Sequence, residues 1–154
     1  MNFDKGRVVY MNGQYVHEKD AKISIFDSAL MFGDMVFEMT RSFNKQQFKL
    51  REHLERLLYG VKIYRIPLKH NIDDLEKICL ETIERNEEFF EPTDEHRLMI
   101  NISRGPLGIY APVFNNKIEP TIVVADFLLK WTVASMGKLY DEGINAVLVN
   151  QRAI

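Results

Sequence analysis

The apolar residues of this chain change their spacing at Arg51, and that change limits the fold more than any other feature of the sequence. From there Leu54, Leu57, Leu58, Val61 and Tyr64 recur at helical intervals and make one apolar face. Pro67 predicts the end of that helix. Asn71 then opens a second helix, with Asp74 in capping-box position and Leu75, Ile78, Cys79, Thr82 and Ile83 as its buried stripe. Pro92 closes the acidic turn that follows. Arg97 to Ser103 returns to a period of two, with Leu98, Ile100 and Ile102 on one side and Arg97, Met99, Asn101 and Ser103 on the other. Two amphipathic helices set between alternating segments bury their stripes by lying together on one face of a sheet.

The other strands follow from turn chemistry. Asn12-Gly13 between the apolar arms Val8–Met11 and Gln14–Val16 predicts a hairpin, because both turn residues must accept positive φ. Asn44-Lys45, flanked by Val36–Phe43 and Gln47–Leu50, predicts a second. The stretch from Arg104 to Asn116 is a breaker-rich loop, and Thr121–Ala125 is a continuous apolar run suited to a buried strand. The fold class expected is α+β: an antiparallel sheet with two helices on one face.

After Phe127 the pattern changes, and Gly143–Val149 reads as a strand with no partner in the same domain, the first piece of a second sheet. The expected organisation is an N-terminal α+β domain over 1–127, an interdomain linker over 128–136 and the truncated start of a C-terminal domain over 137–154. A length of 154 residues allows one core, or one core and part of another.

Composition excludes several functions. A net charge of −2, with basic and acidic residues interleaved, gives no footprint for nucleic acid. Cys79 is the only cysteine, so neither an intrachain disulfide nor a thiolate metal cluster can form, and a reducing cytoplasm is the expected location. The N-terminus has no apolar signal segment, and no run approaches the roughly 18 apolar residues of a membrane span.

Chemistry is expected on the sheet face away from the helices. Alternation puts Arg97, Met99, Asn101 and Ser103 there, and in the Val36–Phe43 strand it groups Phe37, Met39, Arg41 and Phe43. Such a face suits an amphipathic ligand with anionic groups, and equally a dimer surface or a solvated sheet face. His17, His53, His70 and His96 lack metal-ligand spacing and read as surface or capping residues, so no metal site is expected. Gly105-Pro106-Leu107-Gly108 is not a phosphate loop. Arg56 lies about 200° round its helix from Leu54, off the apolar stripe, where pattern alone makes it a solvated arginine.

The segments FDSALMFGDMVFE at 26–38 and FKLREHLERL at 48–57 resemble the paired motifs of the fold-type-IV, pyridoxal-phosphate-dependent aminotransferases (branched-chain, D-amino-acid and R-selective amine aminotransferases) and of the aminodeoxychorismate lyases. The resemblance runs from about Val9 to the last residue, with Ile102-Ser103-Arg104-Gly105 at a strand end and Gly143 to Arg152 on the approach to the strand that bears the family's lysine. It implies transfer of an amino group between an amino acid or amine and a 2-oxo acid, with pyridoxal 5'-phosphate as cofactor, in a homodimer. Arg56 matches the arginine that binds the cofactor phosphate, and Phe37 the aromatic residue beside the cofactor. Phe32 stands where several relatives have tyrosine, so any role of that hydroxyl is lost. Arg41, Arg97 and Met99 match substrate-facing positions, and Tyr110 matches a region that reaches across the dimer.

Met39 replaces a glycine common in branched-chain enzymes, and Met99 an arginine or tyrosine, so the resemblance implies a pocket of another kind. Arg97 or Arg104 is expected to hold a substrate carboxylate. The lysine that would carry the cofactor follows the position of Arg152 by several residues, and the sequence stops at Ile154. Lys130 and Lys138 match linker and helix positions. The expectation is therefore a fragment with no catalytic residue of its own, inactive alone. Two alternatives stand beside it: a lyase on the same scaffold, and a non-catalytic chain that only self-associates.

Overall fold

A computed structural model describes residues 6–148. In chain order the elements are β1 (Val8–Met11), β2 (Gln14–His17), α1 (Ser28–Phe32), β3 (Met35–Phe43), β4 (Gln46–Gln47), α2 (Leu50–Ile63), α3 (Ile72–Asn86), β5 (His96–Ser103), β6 (Thr121–Leu128), α4 (Leu129–Met136) and α5 (Lys138–Glu142). Short 3₁₀ turns occupy Glu87–Phe89 and Gly108–Phe114. The strands form one antiparallel sheet in the order β2-β1-β6-β5-β3-β4.

Both hairpins form as their turn residues require: Asn12 and Gly13 have φ of 47° and 90°, and Asn44 and Lys45 have 52° and 64°. Glu95 braces the second turn by accepting from the backbone N–H groups of Asn44, at 2.6 Å, and Lys45, at 3.2 Å. Asn71 and Asp74 cap α3 reciprocally, at 3.0 and 2.9 Å. The core lies where the alternation puts it. Leu98, Ile100 and Ile102 are fully buried beneath Leu54 and Leu57 of α2 and Leu75 and Cys79 of α3, with Ile122, Val124 and Tyr10 completing the layer. Each buried aliphatic side chain stabilises the fold by about 1.5–3 kcal/mol.

Several elements differ from the sequence reading. Leu50 starts α2 instead of ending a strand, and β4 has only two residues. Helix α2 stops at Ile63, before Pro67, and Tyr64 leaves the apolar stripe for solvent. The helix closes locally, with Arg65 at a left-handed φ of 52° and the N–H of Ile66 bonded to the Val61 carbonyl at 3.0 Å, and Arg104 takes the carbonyl oxygens of Tyr64 at 2.6 Å and Arg65 at 2.9 Å. Helix α1, not anticipated, is nucleated by the buried Asp27, whose carboxylate accepts from the N–H of Ala29 at 2.9 Å.

The expected linker contains α4, whose Thr132 hydroxyl meets Arg97 on the sheet face opposite α2 and α3. Its Trp131 ring lies 4.5 Å from the Arg7 guanidinium, and its Lys130 holds Asp94 at 2.9 Å. Among the described residues 143–148 the strand expected over Gly143–Val149 is not formed. Residues 143–148 carry no regular structure and no strand partner among the described residues, and Ile144, Val147 and Leu148 are exposed. An extended segment without a neighbour has no ladder to join. Val149 and Arg152 lie outside the described residues.

Candidate active site

Register decides which residues share a face. Val36, Glu38 and Thr40 of β3 sit opposite Ile102, Ile100 and Leu98, so they point toward the helices. Phe37, Met39 and Arg41 sit opposite Asn101, Met99 and Arg97, and all six share the other face, as alternation predicts.

On the helix side, Glu38 is a buried carboxylate opposite Ile100, and α2 answers it. Arg56 grips it through two nitrogens, Nε to Oε1 and Nη2 to Oε2, the second at 2.7 Å, while His53 Nδ1 lies 2.8 Å from Oε2. The hydrogen bond from Arg56 holds the Glu38 carboxyl below its ordinary range, against burial, which works upward. Glu38 in turn raises Arg56, which is 70% exposed and stays a cation. The pair uses Nε and Nη2 and leaves Nη1 outside it, so a fixed guanidinium stands on the surface beside β3 with one terminal nitrogen turned to other partners.

On the open face, Arg41 and Arg97 are direct cross-strand neighbours. The Arg41 guanidinium lies 4.0 Å from the Phe43 ring, and its Nε donates to the carbonyl of Ser42 at 3.1 Å. Arg97 donates from Nε to the Met39 sulfur at 2.7 Å and from Nη1 to the Thr132 hydroxyl of α4. Neither makes an ion pair with a carboxylate among the described residues. Two like charges directly opposite each other disfavour the sheet. An anion bridging both would relieve that repulsion.

The remaining expected residues fall elsewhere. Phe32 ends α1, exposed, and Met99 lies half-buried beside Met39. Tyr110 packs on Phe26 with ring centroids 4.6 Å apart. Arg104 donates to Asp34, at 2.7 and 3.3 Å, and to the two carbonyls at the end of α2. Arg56 does not join the open-face set. It lies on the helix side, and the two sets approach each other only across β3, where neighbours Phe37 and Glu38 point to opposite faces. A cleft of about 830 Å³ between the 22–27 and 114–121 loops contains none of these residues.

Sequence reasoning missed Glu38, His53, Asp27 and Asp34. All four lie in the two quoted motifs, which was the signal available. Asp27, 1% exposed, ties its segment to two strands by accepting from the hydroxyls of Ser103 at 2.7 Å and Thr121 at 2.6 Å. Gly33 ends α1 at φ 68°, a left-handed cap that a side chain would strain. His96, read as a surface residue, is completely buried, because Asp126 and Glu87 supply partners for both ring nitrogens.

The family model for amino-transferase class IV matches residues 35–153. The chain belongs to the class IV aminotransferases. Among curated relatives of this family, a branched-chain-amino-acid aminotransferase of Escherichia coli (strain K12) is 36% identical over 153 residues, 96% of this chain and 47% of that protein. A putative branched-chain-amino-acid aminotransferase of Methanocaldococcus jannaschii is 40% identical over 102 residues, 66% of this chain and 34% of that protein. The chain thus spans less than half the length of these relatives. The solved branched-chain enzyme from Escherichia coli superposes with a TM-score of 0.66 at 28% identity, covering 80% of this chain and 41% of that one. A T.th. branched-chain enzyme complexed with N-(5'-phosphopyridoxyl)-L-glutamate superposes at 0.61 and 27% identity, with the same coverage.

Proposed function

We propose that this chain is the N-terminal half of a pyridoxal-phosphate-dependent enzyme that transfers an amino group between an amino acid or amine and a 2-oxo acid. The observation that carries this reading is the joining of the family's two motifs in one ion-paired cluster: Glu38 from the first clasps His53 and Arg56 from the second. A buried carboxylate with that single task fixes the direction of a surface guanidinium, and a planar, permanently charged donor suits a phosphate dianion. When bound, pyridoxal phosphate supplies the electron sink that lets an amino group leave one carbon skeleton and enter another.

The chain's own residues do the holding. Arg56 takes the phosphate, with Glu38 and His53 keeping it in place. Phe37, 62% exposed at the adjoining position of β3, lines the space beside the ring. Arg41 and Arg97 take a carboxylate on the open face. The adduct in the T.th. complex carries both a phosphate and a glutamate, the two anionic groups that these guanidinium sites fit. Lys130, bonded to Asp94 at 2.9 Å and placed at a linker position by the resemblance, is not assigned as the covalent anchor. Leu30, Met31 and Phe32 of α1, with Ile109 and Val113 nearby in sequence to Tyr110, expose apolar surface that supports a homodimer, which we place in the cytoplasm.

The test is titration of the chain with pyridoxal phosphate, followed by NMR at the Arg56 Nε–H. Binding that moves this signal, and that weakens about tenfold or more in Arg56→Ala, is the expected result, tenfold being about 1.4 kcal/mol. Equal binding by the variant removes the phosphate assignment. In an enzyme containing both domains, a screen of pyruvate and 2-oxoglutarate against aminodeoxychorismate distinguishes transfer from elimination. Sedimentation equilibrium decides whether the apolar surface pairs.

A further inference from the structure

His96 lies outside the proposed site, and each of its ring nitrogens faces a carboxylate. The ring is 0% exposed, stacked on Phe90 with centroids 4.2 Å apart. Its Nδ1 lies 2.9 Å from an Asp126 oxygen on β6, and its Nε2 lies 2.9 Å from a Glu87 oxygen in the turn after α3. A neutral imidazole carries one N–H, so it can donate to only one of two ionised carboxylates. The second contact then needs a protonated carboxyl, and burial does push Asp126 upward while the bond and charge of His96 pull it back. Asp126 depends heavily on this ring, because its second oxygen, Oδ1, is buried with no hydrogen-bond partner among the described residues.

We propose that His96 is a proton-operated clamp, an imidazolium bonded to Asp126 and Glu87 that fastens β6 and the turn after α3 to the start of β5 and lets go as pH rises. The charged groups around it are consistent with one retained proton. Lys45 of the β3–β4 turn pairs with Glu87 at 3.0 Å, and Arg7, ahead of β1, acts on Asp126 through its charge. Glu95 is occupied by Ser42 and the β3–β4 turn, and Lys130 of α4 by Asp94 and Glu91. Burial works to lower the His96 pKa, but the bond and charge of Asp126 and the charge of Glu87 outweigh it, and the net direction is upward. The clamp is therefore complete below the ordinary histidine value of about 6.5 and is lost as pH rises through the higher folded value. Its loss leaves a buried carboxylate without its countercharge beside the start of α4.

The test follows the His96 ring nitrogens by NMR from pH 5 to 10 in the 154-residue chain, alongside urea unfolding midpoints over the same range. The expected ring midpoint lies above about 6.5, with the unfolding midpoint falling through the same pH window. Glu87→Gln, at a half-exposed position that tolerates change, lowers the ring midpoint by about half a pH unit. His96→Gln removes that part of the pH slope. A ring that titrates at or below the ordinary value, or one unmoved by Glu87→Gln, overturns the proposal. So does an unchanged slope in His96→Gln. If His96→Gln does not fold, the Glu87→Gln titration decides alone.

Discussion

On one side of β5, Leu98, Ile100 and Ile102 have no exposed surface; on the other, Arg97, Met99 and Asn101 remain partly open to solvent. The same strand backbone carries both sets, so neither backbone propensity nor position in the sheet explains the contrast. What differs is what each face meets. The covered face meets two helix stripes and is selected for packing; the open face holds Arg41 opposite Arg97, an arrangement that costs stability and favours an anion.

The sharpest way to break this comparison is to cut side chains on both faces of β5. Ile100→Ala should destabilise the chain by about 2–5 kcal/mol, because it leaves a cavity under α2 and α3. Met99→Ala should cost about 1 kcal/mol or less. Urea unfolding measures both, and equal losses would mean that the open face is packed as tightly as the covered one. A smaller effect belongs to Glu38, a buried acid of the covered layer whose partner Arg56 stands at the surface. Since its folded pKa is depressed, its contribution is present above the ordinary glutamate value of about 4.3 and is lost as pH falls through the lower folded one. Glu38→Gln should cost on the order of 1 kcal/mol at neutral pH and flatten the acid limb of the stability profile. An unchanged acid limb would show that Arg56 does not hold it. Smallest, and opposite in sign, Arg97→Gln should stabilise the isolated chain by a few tenths of a kcal/mol at low salt, with the gain fading as salt is added. A loss there would show that Arg97 serves the fold.

What could be read from the sequence divides by distance along the chain. Alternation placed Leu98, Ile100 and Ile102 beneath the helices, and Asn12-Gly13 and Asn71–Asp74 announced their turn and cap, because each signal is local. The end of α2 comes before Pro67, at the left-handed Arg65, a residue type that gives no signal for that conformation, and Arg104 meets the last carbonyls from 40 residues away. His96 was misread because its partner Asp126 is 30 residues away. Arg56 is the instructive intermediate. Pattern alone made it a solvated arginine, and it is largely exposed; only pairing with Glu38, 18 residues earlier, separates it from the other surface cations. Helix α1 has five residues, too few to show a period.

The carboxylate of Asp27 is reached by Ser103, 76 residues later, and by Thr121, 94 residues later. Its bond from the Ala29 N–H is local, but the other two need β5 and β6 in place. A chain interrupted before β6 therefore lacks the Thr121 bond that ties the first motif to the sheet, and limited proteolysis of that segment should be faster in it than in the whole chain.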